Sequence, residues 1–133
     1  MKRAALSITL TVILGFASAV LAPTASAASG PLAGTWTSVD SDGSNQTLDI
    51  MGSGNRAYSM IYFDESATNA CDGNPARVSG PGFVDGNELV MVGSVVCLPG
   101  GNPFRSRFTI SYDYDAGTDT LTDAFGIVWH RAS

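Results

Sequence analysis

Seven side chains of this sequence are suited to holding a small molecule. Trp36, Tyr58, Tyr62, Phe108, Tyr112 and Trp129 offer large aromatic surfaces, and Arg131 is a cation two positions after the last of them. Apolar walls with a few convergent polar groups are what ligand cavities are built from, so the chemistry expected of this set is non-covalent capture of an apolar or amphipathic ligand, with Arg131 at the base. Covalent catalysis is poorly served. His130 is the only histidine, so a Ser-His-Asp relay depends on it alone. If Trp129 and Arg131 share one face of a strand, His130 points the other way, to solvent. Gly52-Ser53-Gly54 has the wrong spacing for a nucleophile elbow, and neither a phosphate-cradling loop nor a dinucleotide fingerprint is present.

The acidic residues fall in two groups, Asp40, Asp42 and Asp49 around Gly43 and Asp113, Asp115 and Asp119 around Gly117. Neither matches the EF-hand spacing, and Asp and Gly recur in tight turns for conformational reasons. The expectation is therefore a non-enzymatic protein with no metal and no cofactor. Asn45-Gln46-Thr47 forms a formal glycosylation sequon, read here as a polar turn beside a leader that looks bacterial.

Export sets the context for this chemistry. Met1-Lys2-Arg3 is a basic start, Ala4 to Leu21 is apolar, and Ala25-Ser26-Ala27 matches an A-x-A cleavage site, so residues 1–27 read as a secretory signal peptide. An uncleaved anchor is the competing reading, since the apolar run approaches spanning length; Ser7, Thr9, Thr11, Gly15 and Ser18 dilute it. Residues 28–133 then form one domain, secreted or periplasmic, with no stable membrane insertion. That domain keeps Arg56, Arg77, Arg105, Arg107 and Arg131, has no lysine, and holds all twelve acidic residues, so it is more acidic than the whole chain at −5. Nucleic acid is excluded as a partner, because its binding needs clustered cations to release counterions. Cys71 and Cys97 are the only cysteines, and in an oxidising compartment they are expected to pair.

The elements that position these residues are short strands. Gly34 to Val39, Gln46 to Met51, Ala57 to Phe63, Glu88 to Cys97, Arg105 to Tyr114, Thr118 to Thr122 and Ile127 to Arg131 are rich in β-branched and aromatic residues and are separated by Gly, Asp and Asn turns. Ala76 to Val84 is a further strand, expected at an edge or bulge because Gly80-Pro81-Gly82 interrupts it. Asp85-Gly86-Asn87 is a strong hairpin signal. Phe108, Ile110, Tyr112 and Tyr114 recur at period two and share a face. No stretch of the mature chain has a helical period. Short connections make neighbours antiparallel, so the expected fold is all-β: an up-and-down meander of seven to eight strands, closed into a small barrel that removes the open edges. A two-sheet sandwich is the alternative.

In such a barrel the first and last strands are neighbours, which lets Trp36 and Arg131 meet. Gly34-Thr35-Trp36 together with Arg131 resembles the lipocalin and avidin group of barrels, in which a Gly-x-Trp on the first strand packs against an arginine near the last. That resemblance implies a closed barrel and a ligand held inside. The chain departs from it in two ways: it lacks the lipocalin C-terminal helix, and Trp36 is followed by Thr37-Ser38-Val39 rather than the avidin Asn and Gly-Ser, so biotin binding is not implied. The functional expectation is a secreted barrel that binds a small apolar or amphipathic ligand. The alternative is an extracellular interaction module, such as an enzyme inhibitor, acting through its loops or outer face. Because Tyr58, Met60 and Tyr62 alternate with Ile61 and Phe63, and Leu89, Met91 and Val95 with Val90, Val92 and Val96, two strands are apolar on both faces and a homo-oligomer is expected to cover them.

Overall fold

The computed structural model describes residues 30–132, so the expected leader lies outside the described residues. Eight strands follow one another: β1 (Gly34–Val39), β2 (Asn45–Met51), β3 (Ala57–Asp64), β4 (Ala76–Asp85), β5 (Glu88–Cys97), β6 (Asn102–Asp115), β7 (Thr120–Asp123) and β8 (Val128–Arg131). Each pairs antiparallel with the next and β8 returns to β1, giving a closed up-and-down barrel. Among the described residues there is no helix. Closure rather than a sandwich is what the ladder arithmetic favours, since every backbone edge then finds a partner.

The strands alternate as a half-buried surface requires. β2 reads exposed, then buried Gln46, Leu48 and Ile50 at every second position, and β3 buries Tyr58, Met60 and Asp64. Register places these inward residues side by side: Trp36 opposite Leu48, and Leu48 opposite Tyr62. The Asp85-Gly86-Asn87 signal is realised as a tight hairpin with Asp85 opposite Glu88 and Gly86 at φ 63°, a left-handed conformation that glycine adopts without steric cost.

β4 corrects one expectation. It is no edge strand: it pairs with β3 along its whole length and with β5 on its other side. The β4–β5 ladder skips the Gly80 and Pro81 positions, running from Ser79–Ser94 directly to Gly82–Met91. Proline is tolerated because its missing N–H falls where no rung is made. Gly80 and Gly93 meet at that gap, and a side chain at Gly80 would run into the Val92 carbonyl. The irregularity continues into the β5–β6 ladder, where the register shifts between Gly93 and Val96.

The barrel has two unlike ends. At the end where β1 begins and β8 finishes, called the floor here, Trp36, Leu48, Ile50, Met60, Leu89, Met91, Ile110 and Leu121 are buried in one cluster. At the other end, the mouth, sit the β1–β2 turn, the β3–β4 loop, the β5–β6 turn and the β7–β8 turn. The β3–β4 loop folds across the mouth and buries Ala67 in the core, and a Cys71–Cys97 disulfide ties it to the end of β5 across a sequence separation of 26. Ile61, Phe63, Val90, Val92 and Val96, which alternate with the inward residues, are half-buried.

Candidate functional site

Arg131 closes the floor. Its guanidinium lies 4.1 Å from the Trp36 ring centroid, donates to Asp119 through Nε at 2.8 Å, and donates to the carbonyls of Ala33 at 2.7 Å and Pro31 at 3.0 Å. Tyr114 packs edge-on to Trp36, and Trp36 Nε1 donates to the carbonyl of buried Leu32. The Arg131 hydrogen bond holds the Asp119 carboxyl below the usual carboxylate range. Four of the five N–H donors of Arg131 are bonded within the protein, so Arg131 serves to plug the floor.

The mouth is built differently. Three polar residues continue the inward faces of adjacent strands at their mouth ends: Ser38 two positions beyond Trp36, Gln46 two before Leu48, and Asp64 two beyond Tyr62. All three are buried. They form one chain of hydrogen bonds. Ser38 Oγ donates to Gln46 Oε1 at 2.8 Å, Gln46 Nε2 to Tyr62 Oη at 3.0 Å, and Tyr62 Oη to Asp64 Oδ2 at 3.3 Å. Asp64 Oδ1 also accepts from Ser44 Oγ and from the Ser66 N–H. Burial first, then the Asp64 carboxylate, push the Tyr62 hydroxyl far above the ordinary phenol range, so it remains a donor.

Above this chain lies a cavity of about 250 Å³ lined by Tyr62, Asp64, Ala67, Asn69, Ala70, Ala76, Val78, Val95, Phe104, Arg105 and Phe108. Its lining combines polar Tyr62, Asp64, Asn69 and Arg105 with apolar and aromatic side chains. The rim carries exposed Arg105, whose guanidinium sits 5.9 Å from the Phe104 ring centroid. A larger open groove of about 680 Å³ begins where the β1–β8 ladder, paired only at Trp36–Arg131 and Thr37–His130, gives way toward the mouth. Ser38 and Gln46 line that groove, so the hydrogen-bond chain runs between two openings.

Among the described residues one buried side-chain polar atom, the Tyr112 hydroxyl, is without a hydrogen-bond partner, and burial followed by the nearby Asp123 carboxylate pushes its ionisation far upward. Its ring and that of Tyr62 both stand edge-on to Trp129, each with centroids 5.9 Å away. Asp123 accepts from the N–H groups of Phe125 and Ile127 and from Trp129 Nε1, holding the β7–β8 turn.

Of the seven residues singled out in the sequence, the structure therefore brings Tyr62 and Phe108 to the cavity. Trp36, Tyr58, Tyr112 and Trp129 are packed in the core, and Arg131 caps the far end. Trp36 and Arg131 meet, as the barrel topology requires. His130 points outward and is exposed. Missed by sequence reasoning were Ser38, Gln46 and Asp64, whose signal was the same period-two extension that placed their apolar neighbours. Among the described residues no group of His, Cys, Asp or Glu is arranged to hold a metal ion. The Asp42 carboxylate serves structure instead: it accepts from Ser44 and from Thr68 Oγ1 at 2.7 Å, which binds the β1–β2 turn to the β3–β4 loop and lowers its pKa to about 2. Comparison with protein-family models, with curated proteins and with solved structures finds no match to this chain.

Proposed function

We propose that the protein is an extracytoplasmic binding protein that takes a small amphipathic ligand into the mouth of its barrel, polar end toward Tyr62 and Asp64 and apolar body against Phe104 and Phe108. The observation that carries this reading is the cavity itself, whose lining joins a buried hydrogen-bond chain to an apolar wall. The Cys71–Cys97 disulfide is compatible with an oxidising compartment, and the leader-like N-terminus supports the same location. The resemblance to lipocalin and avidin barrels agrees with a ligand held inside, though at the mouth and not on Arg131. The protein is read as non-enzymatic.

The test is to fill the cavity. Ala70 lines it from the half-buried β3–β4 loop, so Ala70→Phe should leave the barrel folded by circular dichroism while abolishing binding of octanol followed by tryptophan fluorescence. Undiminished binding in that variant would remove the mouth as the site. A second reading, an interaction module such as an enzyme inhibitor, draws on Phe125, which is 75% exposed on the β7–β8 turn. Its check is a pull-down comparison of wild type with Phe125→Ser against candidate extracellular hydrolases, in which an unchanged profile counts against that turn.

A further inference from the structure

We propose that the mouth cavity selects a small organic cation, an amine carrying an apolar tail, with its ammonium seated on Asp64; this deepens the reading of the mouth as a ligand site and rests on it. Asp64 is 5% exposed, and its partners, Tyr62 Oη, Ser44 Oγ and the Ser66 N–H, are all neutral. An ionised carboxylate offers about four acceptor positions, and a buried charge without an opposite charge is costly. These partners leave Asp64, at the cavity wall, with acceptor capacity and with no cation among them. An ammonium supplies both missing items, three donors and a positive charge.

The surroundings favour the same head group. Tyr62, Phe104 and Phe108 present aromatic surface to the cavity, and rings attract cations through their faces. Asp40, Asp42, Glu65 and Asp72 lie in the turns around the mouth of a chain with net charge −5, and clefts ringed by one sign of charge concentrate ions of the other.

Arg105 is the opposing term. It lies exposed on the rim, over Phe104, and would attract a carboxylate held head-out. A ligand in that pose drives its hydrocarbon end against Asp64, Tyr62 and Gln46, leaving the buried carboxylate as unpaired as before. The amine pose satisfies Asp64 and leaves Arg105 in solvent.

Three probes of one chain length separate the possibilities: octylamine, octanol and octanoate, each titrated against the full domain by tryptophan fluorescence with calorimetry as a second readout. Octylamine is expected to bind about tenfold or more tightly than either of the others, a preference of about one decade in Kd. Asp64→Asn should erase that preference while octanol binding persists, Arg105→Ala should weaken octanoate and leave octylamine favoured, and Asp113→Asn, on the exposed outer face, controls for adsorption to acidic surface. Equal binding of octylamine and octanol, a preference for octanoate, or an octylamine preference that survives Asp64→Asn overturns the cation assignment and leaves the mouth as a ligand site. Failure of all three probes to bind overturns the ligand-site reading together with it. The wild-type series needs no variant to fold.

Discussion

The floor and the mouth are made from the same strands, and on four of them a step of about two residues separates an apolar inward residue from a polar one. On β1 the inward residue changes from Trp36 to Ser38, on β2 from Leu48 to Gln46, on β3 from Met60 and Tyr62 to Asp64, and on β7 from Leu121 to Asp123. Below the step the barrel is a close-packed apolar core sealed by Arg131. Above it the interior is a hydrogen-bond chain under a cavity. A barrel of this strand number encloses little beyond its own side chains, so room for a ligand exists only where shorter polar side chains replace large apolar ones. On the proposed reading, stability and recognition fall at opposite ends of one sheet.

The contrast is tested most severely by truncating one aromatic from each end. Trp36 is fully buried and wedged between Arg131 and Tyr114, so Trp36→Ala should cost about 3 to 5 kcal/mol in urea unfolding. Phe108 is only half-buried at the cavity, and Phe108→Ala should cost roughly 1 kcal/mol, part of the value for a fully buried side chain. Similar losses at the two positions would mean that the mouth is packed like the floor.

Next in size is the covalent tie of the mouth. Cys71 and Cys97 close a loop spanning a sequence separation of 26, for which loop-closure entropy gives roughly 3 kcal/mol. The paired Cys71→Ala, Cys97→Ala variant should lose about that amount at equilibrium, and mass spectrometry of the wild type should show both thiols oxidised within one molecule. An intermolecular link would break the assignment.

Arg131→Ala should then cost about 1 to 3 kcal/mol through lost stacking and stem packing, with the Asp119 ion pair contributing little because both partners are partly exposed. The sign with pH follows from Asp119. Its folded pKa is lowered, chiefly by the Arg131 hydrogen bond, so its contribution is present above the ordinary carboxylate value and is lost as pH falls through the lowered one. Acid titration of Arg131→Ala should accordingly be flatter below pH 3.8 than that of wild type.

How much of this was legible in the sequence depended on whether a signal had one meaning or two. Period-two alternation in Phe108 to Tyr114 and the Asp85-Gly86-Asn87 turn have one, and both were read correctly. The meander topology likewise brought Trp36 to Arg131 before any coordinate did. Pro81 had two meanings, edge strand or ladder gap, and only the register shows that β5 makes no rung there. Asp64 was taken as the first residue of a loop and Gln46 as the start of a strand, since a polar residue at a strand end is equally a turn residue or an interior one. Pairing decides it: Gln46 stands opposite Asp64, which turns two ambiguous strand ends into one buried contact region.

The smallest effect expected is also the one that sharpens the comparison most. Tyr112 is wholly buried and its hydroxyl has no partner. A buried donor left unpaired costs about 1 to 3 kcal/mol, whereas deleting it at constant shape is nearly neutral or stabilising. Tyr112→Phe should therefore leave stability unchanged or raise it by up to about 1 kcal/mol, while the ring keeps its contact with Trp129. At the floor the corresponding deletion has the opposite sign. Tyr58 Oη donates to the Gly54 carbonyl at 2.8 Å, so Tyr58→Phe should cost about 0.5 to 1.5 kcal/mol, the usual net value of one hydrogen bond. Urea unfolding of the two variants side by side reads the difference directly. A loss in Tyr112→Phe as large as that in Tyr58→Phe would mean that a buried water already satisfies the hydroxyl.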